Sequence, residues 1–308
     1  MKRVPFGKTG LSVSQLGFGA APAAYLGAHR QQTIDMLNHL LDAGMNVIDT
    51  AASYPGSEQF IGKHFGNRRS DYVLISKCGE KIPESDAPAW SEAQILASVD
   101  RSLRGLKTDQ VDVMLLHSCE LEILKRGEAL GALIKARDAG KIRFAGYSGD
   151  NEAAAYAATL SDVAVIETSI NIVDQINIDL VLPDARKNQI GIIAKRPIAN
   201  AAWKPPHHQP GMYQSYAKTY TERFPKLNLN PQELGFDGAP DAPWPQIALR
   251  FTLSIPGVHT AIVGTTNPVN AKANLKAAEL GPLSEQIVQK IRSAYFRADP
   301  DREWRGQT

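Results

Sequence analysis

Cysteine is nearly absent. Cys78 and Cys119 are the two in 308 residues, which excludes a disulfide framework and is too few for a structural zinc site without other ligands. Reduced thiols are the expectation. No run approaches the roughly 18 apolar residues of a membrane-spanning helix, and Met1-Lys-Arg-Val-Pro-Phe-Gly7 lacks the apolar segment of a signal peptide. A cytoplasmic protein is therefore expected. Neither sign of charge dominates: 34 Lys and Arg stand against 32 acidic residues, for a formal charge of +2. That leaves no electrostatic case for nucleic acid or a membrane surface as partner, and a small molecule is expected instead.

With 43% hydrophobic and 21% charged residues the composition is that of an ordinary globular protein. The length suits two average domains or one α/β barrel, which typically needs about 250 residues. The order of elements favours the barrel. After a short N-terminal hairpin with a turn at Gly7-Lys8-Thr9-Gly10, strand-like segments at 15–20, 47–49, 72–77, 111–117, 142–148, 163–169, 191–195 and 260–264 alternate with helical patterns at 33–43, 57–65, 91–106, 122–139, 151–160, 178–188 and 268–278. One further helix, 283–296, precedes a polar tail. The segment at 111–117 is almost continuously apolar, as parallel strands buried on both faces are. Eight such strands imply a single closed (β/α)8 barrel spanning 1–308.

The rhythm breaks once, in an inserted segment at 199–243 after the seventh strand. Prolines at 205, 206, 210, 225, 231, 240 and 243 forbid a long helix across it, while Tyr213, Tyr216, Tyr220 and Phe224 recur at helical spacing and suggest one amphipathic helix. A segment of this length is commonly a lid, and it would lie over the barrel face that carries the strand C-termini. The aromatic stripe serves packing equally well.

Chemistry is expected at those strand ends. Asn46-Val-Ile-Asp49-Thr-Ala-Ala-Ser-Tyr54-Pro-Gly-Ser-Glu58 is a short buried strand ending in Asp49, followed by Tyr54 on the turn into a helix with an N-cap at Ser57. Lys77 ends the third strand and His117 the fourth. Taken singly, Asp49 reads as a turn former, Lys77 as a surface charge and His117 as a core histidine. On adjacent strand ends the four make a proton-transfer site. A Tyr phenol, with a reference pKa near 10, is lowered by a neighbouring ammonium; Asp49 would hold Lys77 charged, and His117 would orient a carbonyl toward Tyr54.

These residues carry a resemblance that covers nearly the whole chain. Gly7-Lys-Thr-Gly-Leu-Ser-Val-Ser-Gln-Leu-Gly-Phe-Gly19, Asp49 to Glu58, Ile75-Ser-Lys77, Ser102-Leu-Arg-Gly-Leu-Lys-Thr-Asp109, Val111 to His117 and Gly264-Thr-Thr-Asn-Pro268 together resemble the aldo-keto reductases, nicotinamide-dependent (β/α)8 barrel oxidoreductases. The resemblance implies a catalytic tetrad of Asp49, Tyr54, Lys77 and His117, with Tyr54 as general acid/base, and no metal. It implies reduction of an aldehyde or ketone, or oxidation of an alcohol; the alternative is a non-catalytic nicotinamide-binding regulatory subunit of the same fold. Cofactor contacts are expected at Gly19, Ser148, Glu167, Lys195, Arg196, Pro197, Gly264, Thr265, Thr266, Asn270 and Asn274. Several depart from the family pattern. Gly149 follows Ser148 where Asn is usual, Glu167 stands for the usual Gln, and Lys195-Arg196-Pro197 replaces an aromatic that stacks on nicotinamide. Gly264 and Asn270 stand where a Lys and an Arg commonly bind the 2′-phosphate. NADP is the expected cofactor, with NAD the alternative. Trp90 and Trp203 are candidates for the substrate pocket.

Overall fold

The structure is a computed structural model that describes residues 1–25, 30–208, 211 and 213–307, without the side chains of Arg30, Pro206 and Tyr213. Two antiparallel strands, β1 (Arg3–Pro5) and β2 (Ser12–Ser14), form the N-terminal hairpin. Eight parallel strands follow: β3 (Leu16–Gly19), β4 (Val47–Asp49), β5 (Val73–Cys78), β6 (Val111–His117), β7 (Ile142–Ser148), β8 (Val165–Ser169), β9 (Gly191–Lys195) and β10 (Thr260–Val263). Because β10 pairs with both β9 and β3, the sheet is a closed (β/α)8 barrel.

The strands read as continuous apolar runs because both faces are covered, yet a period of two runs inside them. Val47, Val73, Ile75, Val113, Leu115, Val165, Ile193 and Ile262 pack together in the barrel interior. Phe6 and Val13 of the hairpin join this cluster and close the N-terminal end. Intervening residues such as Ile48, Leu74, Met114, Leu116, Ile166 and Ile192 belong to the larger core between strands and helices. Gly7 permits the hairpin to sit against the barrel: at φ +53° its absent side chain would fall 2.4 Å from the Gln189 carbonyl oxygen.

The helical segments are more divided than their periodicity suggests. Gly127, at φ 76°, splits the expected 122–139 helix into Leu121–Arg126 and Glu128–Asp138. Pro183 opens a new helix, Leu182–Lys187, directly after Ile176–Leu180. Trp244–Ser254, which carries no sequence-based expectation, is a helix leading into β10, with Pro243 and Pro245 at its start. The aromatic stripe is likewise two short helices, Tyr213–Tyr216 and Lys218–Arg223, rather than one. Tyr220 and Phe224 pack the insertion down: the Tyr220 hydroxyl donates to Asp174 at 2.7 Å, and the Phe224 ring meets Trp244 edge-on at 4.9 Å. The side chain of Tyr213 lies outside the described residues. Among the described residues no helix is long and apolar enough to cross a membrane.

Candidate active site

The alternation that fills the barrel also builds the site. Asp49 is in phase with Val47, Lys77 with Val73 and Ile75, His117 with Val113 and Leu115, Glu167 with Val165, and Lys195 with Ile193. Each strand therefore turns its last interior-facing residue into the C-terminal mouth. Apolar side chains fill the lower layers and titratable ones the top.

Lys77 is fully buried and donates to both Asp49 carboxylate oxygens, at 2.7 and 2.6 Å, and to the Thr50 carbonyl at 3.1 Å. Its ammonium also lies 3.2 Å from Glu167 Oε2. One cation thus serves two buried carboxylates. Burial and then the Glu167 charge push Asp49 well above the usual carboxylate range, against the pull of Lys77. Lys77 itself is held above the ordinary lysine value: burial alone would lower it, but Asp49 and Glu167 outweigh burial.

Tyr54 sits on the turn after β4, where its N–H bonds the Ala51 carbonyl at 3.0 Å and its carbonyl accepts from Ser57 N–H at 3.1 Å. The helix Ser57–Phe65 is capped by Gly56 at φ 68°, not by Ser57, whose hydroxyl is turned to Thr50 at 2.7 Å. Lys77 Nζ stands 5.4 Å from the Tyr54 ring centre, and the His117 ring lies edge-on to it at 5.9 Å. The expected lowering of the phenol does not occur. Burial raises it well above its ordinary value, Lys77 offsets only part of this, and Asp49 and Glu167 add to the rise. Tyr54 is accordingly a holder of its proton. His117 is pushed down to about 3, first by burial and then by Lys77, Lys195 and Arg196, so its imidazole is neutral; the Ser53 hydroxyl is 3.2 Å from its Nδ1.

A cavity of about 750 Å³ opens above these groups, and Gly19, Asp49, Tyr54, His117, Ser148 and Glu167 line its floor. Ser148 donates to Glu167 Oε1 at 3.4 Å, while Glu167 Oε2 is buried with no hydrogen-bond partner among the described residues. That orphaned acceptor fits a ligand amide N–H. Further round, Lys195, Arg196, Pro197, Gly264, Thr265, Thr266 and Asn270 line the same cavity. At Gly264 a side chain would fall 2.5 Å from Pro22 and 2.9 Å from the Gly19 carbonyl, so only glycine leaves this wall open. Thr265 Oγ1 accepts from Asn267 N–H at 3.1 Å, and Asn267 caps the helix Pro268–Glu279 through Val269 N–H at 2.9 Å.

Three expected residues are not brought to the cavity. Asn274 is buried within the helix Pro268–Glu279. Trp90 packs onto Gly79, where an added side chain would overlap its ring at 1.9 Å. Trp203 stacks on Trp244 at 6.4 Å and meets Phe224 edge-on at 6.2 Å, which uses it for the core of the insertion. The aromatic rings nearest the site are instead Tyr25, 5.9 Å from Tyr54, and Tyr216.

Sequence reading also missed a second ionic cluster. Asp150 receives Thr168 Oγ1 at 2.9 Å, Ser169 N–H at 2.7 Å and Asn177 Nδ2 at 2.8 Å, and is ion-paired with Lys195 at 2.8 Å and Arg196 at 3.9 Å. Burial would raise this carboxyl, but Lys195 and Arg196 hold it below its usual value. Arg196 also donates to Ser169 Oγ at 2.6 Å, to the Tyr216 hydroxyl at 2.7 Å and to the Gln307 carbonyl. The C-terminal segment is thereby tied to the insertion and the cavity wall. Asp150 was legible in principle, since it continues the interior phase of Phe144, Gly146 and Ser148.

A closed parallel barrel with Asp, Tyr, Lys and His converging at its C-terminal mouth defines a class of oxidoreductase barrels, and comparison with known proteins gives the same answer. The Aldo/keto reductase family model matches residues 15–295, and the chain belongs to this family. Among its relatives, an uncharacterized oxidoreductase of Bacillus subtilis, YqkF, is 27% identical, covering 95% of this chain and 96% of its own. A probable voltage-gated potassium channel subunit beta of Arabidopsis thaliana is 26% identical, covering 96% and 97%. Among solved structures, the holo form of aldo-keto reductase AKR11C1 from Bacillus halodurans superposes with a TM-score of 0.77 at 25% identity, covering 96% of each chain. Membership implies NAD(P)H-dependent oxidoreduction on small-molecule substrates.

Proposed function

We propose that the chain reduces an aldehyde or ketone to the alcohol, or runs the reverse oxidation, with NADP as the favoured cofactor and NAD as the alternative. The observation that carries this reading is the meeting of Asp49, Tyr54, Lys77 and His117 at one end of the cavity. When bound there, the reduced nicotinamide supplies a hydride from C4 to the carbonyl carbon. Tyr54 gives its phenolic proton to the carbonyl oxygen, and its phenolate is then reprotonated from water. Lys77, anchored by Asp49, stabilises that phenolate while it lasts. His117, neutral and with Ser53 at Nδ1, donates from Nε2 to the carbonyl oxygen and holds it toward Tyr54. Ser148 and Glu167 would take the carboxamide; Gly19, Lys195, Arg196, Pro197, Gly264, Thr265, Thr266 and Asn270 would serve the rest of the cofactor. Tyr25 and Tyr216 supply the aromatic walls beside the reacting carbon, in place of Trp90 and Trp203.

The test is a fluorescence titration of the purified protein with NADPH and with NADH, run beside turnover of benzaldehyde. Binding with turnover is the expected result, and the tighter reduced cofactor identifies the physiological one. Binding without turnover of benzaldehyde or a panel of other aldehydes and ketones would favour a nicotinamide-binding regulatory subunit.

A further inference from the structure

Glu167 does more than an amide could do in its place. It pairs with Ser148 in the β7–β8 register and lines the cavity, only 3% of its surface is exposed, and its Oε2 is buried without a hydrogen bond among the described residues. Lys77 approaches that oxygen at 3.2 Å but directs its hydrogen bonds to Asp49 and Thr50. The remaining charged or titratable groups around it are accounted for on every packed element. Asp49 at the end of β4 competes for the same ammonium, and Tyr54 and His117 are uncharged. Lys195 at the end of β9 and Arg196 just after it are drawn to Asp150 at 2.8 and 3.9 Å, and Asp174 beyond β8 is taken up by Tyr220 and the Gln307 N–H. Glu167 is left with a fraction of one positive charge, on the wall that faces the ligand.

A buried carboxylate so placed favours a cation beside it. Resting on the nicotinamide-dependent reading above, we propose that Glu167 sets the redox preference of the bound cofactor: its carboxylate stabilises the positively charged oxidised nicotinamide over the neutral reduced ring. An amide at this position would offer the same acceptor without the charge. The consequence is chemical as well as thermodynamic. Stabilising the oxidised form makes the bound reduced form the stronger hydride donor, so the equilibrium on the protein is drawn toward carbonyl reduction, with hydride to carbon and the Tyr54 proton to oxygen.

The experiment measures binding, not turnover. Dissociation constants for NADP⁺ and NADPH, and again for NAD⁺ and NADH, are determined by calorimetry and fluorescence for the wild type, Glu167→Gln and Glu167→Asp. Glu167→Gln should weaken the oxidised form relative to the reduced form by about tenfold, while Glu167→Asp keeps the wild-type ratio. A mere loss of carboxamide positioning would weaken both forms equally, and equal shifts, or no shift, would overturn the proposal. If Glu167→Gln does not fold by circular dichroism, the same constants are measured for Glu167→Met, an uncharged side chain of similar length; it should lower the preference for the oxidised form by the same factor, and an unchanged ratio would overturn the proposal. Failure of the wild type to bind either form would instead remove the nicotinamide reading itself.

Discussion

Two buried ionic clusters stand side by side at the mouth of the barrel with opposite surpluses. Around Lys77 there are two carboxylates and one ammonium, whereas around Asp150 there are one carboxylate and two cations. Burial acts on both carboxyls in the same direction, yet Asp49 ends above its usual range and Asp150 below it. The count of partners, not the depth, decides the sign. Both clusters act on the groups between them. Burial first, then Asp49 and Glu167, keeps the proton on Tyr54 against the pull of Lys77, while burial, then Lys77 with Lys195 and Arg196, keeps His117 neutral.

The largest effect expected from breaking this contrast is Lys77→Met. It strands two carboxylates that have few other donors and should cost about 3–5 kcal/mol in urea unfolding. Lys195→Met should cost about 1–3 kcal/mol, because Asp150 retains Arg196 and its hydrogen bonds from Thr168, Ser169 and Asn177. Equal losses in the two variants would mean that partner count is not what distinguishes the clusters.

The next effect is one of pH. His117 has a folded-state pKa near 3, below the unfolded value near 6.5, so the unfolded chain binds the proton first on acidification. The stability this group contributes is full above pH 6.5 and is lost as pH falls toward 3; by pH 5 the loss is about 2 kcal/mol. Urea unfolding of wild type and His117→Gln at pH 7 and pH 5 isolates it, since the variant should lack that part of the acid destabilisation. Asp174 runs the opposite way: burial, then Asp150, raise it to about 7, so its contribution declines as pH rises through 7 and cancels in the same comparison. The smallest effect is Tyr220→Phe. It removes the 2.7 Å bond to Asp174 and should cost about 1 kcal/mol, with the Gln307 N–H still donating to that carboxylate at 3.1 Å. No change in unfolding would mean that this bond does not tie the insertion to the barrel.

How much of this was legible in the chain depended on how local the signal is. The strands and the residues that close them could be read, because an apolar run ending in Asp49, Lys77 or His117 is a contiguous pattern and the interior phase fixes where each points. The helix Trp244–Ser254 was hidden by the prolines around its start, and the Gly127 and Pro183 breaks lay inside otherwise continuous periodicity. The second cluster draws on six separate segments, around Asp150, Ser169, Asn177, Arg196, Tyr216 and Gln307. No spacing in the sequence announces such a meeting. Trp90 and Trp203 misled for the converse reason: aromatics in loops serve packing, and Trp203 is held between Trp244 and Phe224. The lowering expected for Tyr54 failed because burial, which no local pattern reports, outweighs the pull of Lys77, and Glu167, which adds to the rise, lies 90 residues after Lys77.

The most direct measurement is turnover of benzaldehyde by Tyr54→Phe, made beside a titration of the same variant with reduced cofactor. Tyr54 as proton donor predicts a loss of about 10²–10⁴-fold in turnover with cofactor affinity preserved. Turnover equal to that of the wild type would contradict it.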